Sequence, residues 1–171
     1  EESMVRFLVY ANEYDVEGLI ATTSVWLRDK VAPNKILERV DAYEQVQPNL
    51  ARHAPGYPTA AQLRQVIRSG RPEFGMRGVG AGKQSEGSQL IIAAATRPDP
   101  RPIHISVWGG ANTLAQALFD AKNTLPSAEL EALVAKLRVY SISDQDDSGK
   151  WIRDNFPKLS YTVSPSSVSN E

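Results

Sequence analysis

Apolar residues recur at spacings of three and four along much of the chain, and between those stretches lie short runs that are apolar on both faces. Met4, Phe7, Leu8 and Ala11 share one face of a helix over 3–12. "DVEGLIATTSVW" follows, with Val16, Leu19, Ile20 and Ala21 reading as a strand buried between two layers. Ile36, Leu37, Val40 and Tyr43 form the next helical stripe, with Asn34 as its cap and Pro48 as an interruption. "PTAAQLRQVIRSG" carries a capping box at Thr59 and Gln62, a stripe of Leu63, Val66 and Ile67, and Gly70 as a stop. The glycine-rich segment from Phe74 to Gly87 reads as a long functional loop, and Ser88 to Ala95 as a helix halted by "RPDPRP". "IHISVW" is a strand, 112–122 a helix, and Ser127 the cap of a helix carrying Leu130, Leu133, Val134 and Leu137. "RVYSIS" is a strand, Lys150 to Phe156 a short helix, and "LSYTVS" the last strand. Strands alternating with helices predict an α/β fold with a doubly wound, mainly parallel sheet of Rossmann-like type. We read 1–163 as a single domain cut at both ends, and 164–171 as a polar tail.

Composition narrows the function. The 171 residues carry a net charge of −1, which gives no electrostatic footprint for nucleic acid or an anionic membrane. No apolar run reaches the roughly 18 residues needed to span a bilayer. The absence of cysteine rules out thiolate metal sites and disulfides, and two histidines, His53 and His104, are too few for a multi-histidine zinc site. We read His104 as structural and His53 as a surface residue.

Polar residues gather where strands end. The first strand runs into Thr22, Thr23, Ser24 and Trp26; the second into Trp108, Gly109, Gly110, Asn112 and Thr113; the third into Ser143, Asp144, Gln145, Asp146 and Asp147. Ligands of open parallel sheets bind beyond the carboxyl ends of strands, so neighbouring strands would give these loops one rim. Gly109 and Gly110 permit positive φ and close approach of a ligand, while Asn112 or Thr113 caps the helix; a tight turn with a cap explains the same residues. "DQDD" offers carboxylates to a hard cation or to sugar hydroxyls, and equally suits a helix N-terminus. Trp26 and Trp108 could stack on a sugar or simply pack. "GVGAGK" lacks the spacing of a phosphate loop, and Gln84 stands where Ser or Thr would meet Mg²⁺. The segment around Ser85, Glu86 and Gly87 is a candidate lid, and no nucleophile elbow marks a serine triad.

"NEYDVEGLIATTSVW", "SEGSQLI", "VWGGANTLAQAL", "KLRVYSISDQDDSGKWIRDNFPKLSY" and "SPSS" together resemble the nucleoside hydrolase-like domain of cellulose-binding proteins linked to carbohydrate metabolism. That family in turn is similar to the inosine-uridine nucleoside hydrolases. The resemblance implies a protein that binds a sugar or nucleoside and hydrolyses a glycosidic bond of the N-ribosyl type; the alternative is a non-catalytic cellulose-binding module on the same fold. Taken with the strand-end loops and the candidate lid, it gives as ligand contacts Thr23, Ser24, Trp26, Glu86, Trp108, Gly109, Gly110, Asn112, Asp144, Gln145 and Asp146, of which Asp144, Gln145 and Asp146 would face the sugar by the resemblance. It further implies Ca²⁺ touched by the Asn112 backbone carbonyl, in an intact protein whose catalytic acidic cluster lies upstream of Glu1. The expected partners are a small sugar, nucleoside or oligosaccharide, in an extracellular or periplasmic location.

Overall fold

A computed structural model describes residues 2–164, in two compact units. The "SPSS" block beyond Ser164 and the rest of the expected polar tail lie outside the described residues. Among the described residues no helix is long and apolar enough to cross a membrane.

The first unit takes the stretch through Ala21 together with Ala32–Ser69. It holds α1 (Glu2–Val9), β1 (Leu19–Ala21), α2 (Pro33–His53), α3 (Ala60–Gln65) and β2 (Ile67–Ser69). β1 and β2 pair in parallel, with Leu19 opposite Ile67 and Ala21 opposite Ser69. β2 departs from the helix expected through Gly70. The capping box at Thr59 forms, but α3 ends at Gln65, because β-branched Val66 and Ile67 fit a ladder better than a helix, and β1 is there to take their backbone. α2 also departs from expectation. It runs through Pro48, and its start is set by Pro33 after Ala32 rather than by an Asn34 cap. A mid-helix proline costs about 3 kcal/mol, which this helix offsets through tertiary fastening. Val40 and Tyr43 are buried, the Tyr43 hydroxyl donates to the Pro58 carbonyl at 2.6 Å, and Arg64 grips Asp41 and Glu44. Burial, with Tyr57 nearby, pushes the Tyr43 phenol up to about 12.

The second unit takes Thr22–Val31 and the chain from Gly70 onward. Its elements are α4 (Glu86–Thr96), β3 (Ile103–Val107), α5 (Asn112–Thr124), α6 (Ser127–Lys136), β4 (Leu137–Ser141), α7 (Ser148–Asn155) and β5 (Ser160–Val163). β3, β4 and β5 form a parallel ladder in that order, with Val107 opposite Ser141 and Ser141 opposite Val163. The parallel α/β class read from the alternating pattern is the class observed. α4 begins at Glu86, earlier than expected, because Ser85 and Ser88 cap each other reciprocally. Ser85–Gly87 is therefore a helix start rather than a free lid. α6 begins at Ser127 itself, after Pro126 and without a side-chain cap. His104 is exposed, not structural, and His53 is exposed as expected.

α5 is the spine of this unit. Leu114, Ala115, Leu118 and Ala121 meet Val107, Leu133, Leu137, Val139, Ile152 and Phe156 in one core. Leu118 is fully buried, so Leu118→Ala should remove about 2–5 kcal/mol of unfolding free energy. Urea denaturation measures it; a loss under about 1 kcal/mol would show that α5 does not anchor the core.

Candidate ligand-binding site

The loops after β1, β3 and β4 meet within the second unit. After β1, Ser24 and Leu27 exchange backbone hydrogen bonds at 3.2 and 3.0 Å, and the Ser24 hydroxyl also accepts from the Leu27 N–H. This tight turn holds Val25 and Trp26 at its tip, leaving Trp26 90% exposed. The Thr23 carbonyl accepts from the Gly110 N–H at 2.8 Å. Gln145 closes the third side: its Oε1 accepts from the Val25 N–H at 3.3 Å and its Nε2 donates to the Trp108 carbonyl at 2.9 Å.

This assembly explains the two glycines. Neither Gly109 nor Gly110 has positive φ, contrary to one part of the sequence reading. Close approach is what requires them. A Cβ on Gly109 would lie 2.8 Å from the Thr23 carbonyl oxygen, and one on Gly110 would collide with Asp146 Oδ2. The neighbours that crowd them are the protein's own backbone and carboxylate.

Most of the gathered polar groups are engaged with one another. Asp144 accepts two hydrogen bonds from Arg153, at 3.0 and 2.7 Å, and that guanidinium lies 5.4 Å over the Tyr161 ring. Asp146 is buried, and its Oδ1 accepts from the Ser148 N–H and hydroxyl. Asp147 accepts from the Met76 N–H at 2.8 Å. Asn112 does not cap α5; it is the first helical residue, and its Nδ2 donates to the Glu73 carbonyl at 2.9 Å. Trp108 is half-buried. Glu86 stands exposed in the first turn of α4, with no hydrogen bond to the three loops.

Sequence reasoning missed Arg153 and Tyr161, the partners of Asp144, and the part played by the segment before α4. That segment is pinned to α5: the Gly80 N–H donates to Gln116 Oε1 at 2.7 Å, and Gln116 Nε2 donates to Asp120 and to the Gly80 carbonyl. The usable signal was the glycine spacing, since Gly75 has φ of +58° against Asp147 and Gly78 packs on the Glu73 carbonyl.

Thr23 Oγ1, Asn112 Oδ1, Thr113 Oγ1 and Asp146 Oδ2 are buried without hydrogen-bond partners. All are oxygens, the donor type that hard cations take, but Ca²⁺ takes six to eight. Among the described residues no three Asp, Glu, His or Cys form a cation-holding group. The Ala111 carbonyl opens the α5 ladder, accepting from the Ala115 N–H at 2.9 Å, and Asn112 follows it as the first helical residue. The described residues therefore do not complete a calcium shell.

Desolvation raises the Asp146 carboxyl above its usual range, with Asp147 adding to the shift, against the opposing pull of Ser148 and the Ala111 N–H. A carboxyl raised in the folded state holds its proton more tightly there. Its stabilising contribution is full below the unfolded value near 3.8 and is lost as pH rises through the folded one. Relative to Asp146→Asn, the native protein should thus lose unfolding free energy between about pH 4 and pH 7, as measured by urea denaturation at both. A difference that stays flat or grows with pH would contradict burial of this group as a charge.

A family model described as cellulose-binding Sde182, nucleoside hydrolase-like domain, matches residues 1–171. A solved structure of a nucleoside hydrolase-related hypothetical protein from Saccharophagus degradans, described as associated with carbohydrate metabolism, is 48% identical, with a TM-score of 0.86. The match covers 92% of this chain and 38% of that one, so the chain spans well under half of that relative. No curated protein matches.

Proposed function

The chain belongs to the nucleoside hydrolase-like domain family of cellulose-binding Sde182, and from that premise we propose that it binds a sugar chain or nucleoside at the rim of its three loops. The observation that carries this is Trp26. A tryptophan exposed over nine-tenths of its surface gains little by packing on its own protein. Held on a hydrogen-bonded turn, it loses little further entropy when a sugar ring stacks on it. The same turn is tied to a neighbouring loop, since the Val25 N–H donates to Gln145 Oε1, and the Ser24 hydroxyl accepts from the Leu27 N–H within it. The family description and the relative's association with carbohydrate metabolism support the same ligand class. The proposal sets the protein in extracellular or periplasmic space, where polymeric glucan is met.

A second reading is hydrolysis of a glycosidic bond, favoured by one observation: Asp146 is a buried carboxyl with a raised pKa and an unpartnered Oδ2. Such a group keeps its proton to higher pH than an ordinary aspartate, which is the property a general acid needs. Turnover of nucleosides or aryl glycosides, abolished in Asp146→Asn and measured with and without Ca²⁺, supports that reading; no turnover in either condition removes it.

Titration with cello-oligosaccharides should quench tryptophan fluorescence, and Trp26→Ala should weaken binding at least ten-fold, about 1.4 kcal/mol, without altering the melting temperature. A flat titration of the native protein, or equal affinity in the variant, would refute the binding site.

A further inference from the structure

The ladder of the second unit has one buried face and one open face. Val107, Leu137, Val139 and Ser141 face the core together with α5, α6 and α7. On the other side, His104, Arg138 and Ser160 lie across the three strands in register, and Ser106, Tyr140 and Thr162 form the next row. All six are exposed, Tyr140 at 48%, with Ile142 at 38% just beyond. This is unusual for an all-parallel sheet, because crossover helices normally cover both faces.

We propose that this face is the seat of a further helical segment of the longer polypeptide, one that presents a carboxylate to Arg138. Three observations select that occupant. The helices of the crossovers β3–α5–α6–β4 and β4–α7–β5 all pack on the core side, so nothing in this ladder's own connections covers the open side. Most of the similar Saccharophagus degradans chain lies outside its match to these residues, which is ample length for a covering segment. The two rows carry an arginine, a histidine, a tyrosine and three aliphatic hydroxyls, but no carboxylate. A second copy would set cation against cation, whereas a polar interdomain contact with an acidic partner suits this composition.

The chain has no cysteine, so Ser106→Cys and Thr162→Cys each supply a single thiol, with Glu131→Cys on α6 as an exposed control. Maleimide labelling is timed in residues 1–171 and in the full-length gene product. At least ten-fold slower labelling at 106 and 162 in the full-length protein, with the control unchanged, is expected. Adding Arg138→Glu to Thr162→Cys should restore fast labelling. Equal rates in the two proteins overturn the proposal, as does slowing of residues 1–171 with their own concentration, the mark of a second copy. Protection that Arg138→Glu leaves intact overturns the acidic partner.

Discussion

A buried carboxylate beside a glycine is the constraint on which the mouth of the second unit depends. Asp146 lies over Gly110, where any side chain would displace it. The carbonyl of Thr23 occupies the same space from the other side. Burying a carboxylate costs several kcal/mol unless its oxygens are satisfied, and Ser148 and the α5 N-terminus satisfy only part of it.

Self-engagement changes what the polar rim means. Gln145 spends its oxygen and its nitrogen on two backbone groups, and Asp144 is held by Arg153. These residues shape the mouth before they could touch anything in it. What remains open is different in kind: an exposed indole on a fastened turn, and a few buried oxygens without partners. An exposed indole on a fastened turn is the kind of surface on which the proposed sugar ring would stack.

The elements legible in the sequence were those whose period and caps agreed. Thr59–Gln62 formed its box, the stripe of α5 lies where the 3.6-residue period put it, and that of α6 does so through Val134, whereas Leu137, expected in the same helix, opens β4 because β3 pairs with it. The misreadings share one cause, which is that local signals are weak against distant partners. Val66 and Ile67 look helical until β1 is placed beside them. Pro48 looks like a break until Tyr43 and Arg64 anchor the helix around it. Of the proposed site, the three loops could be named from strand ends, but Arg153 and Tyr161 could not, since nothing in their spacing marks them as partners of Asp144.

The sequence by itself determined the α/β class, the helix-facing stripes and the polar character of three strand ends, because these follow from periodicity and residue chemistry within a few positions. Tertiary structure alone decided which of those polar groups bond to one another, why Gly109 and Gly110 must lack side chains, and which face of the sheet stays open. Those outcomes depend on which atoms meet across more than thirty residues of chain, as between Thr23 and Gly110 or Trp108 and Gln145, and no local pattern encodes such meetings.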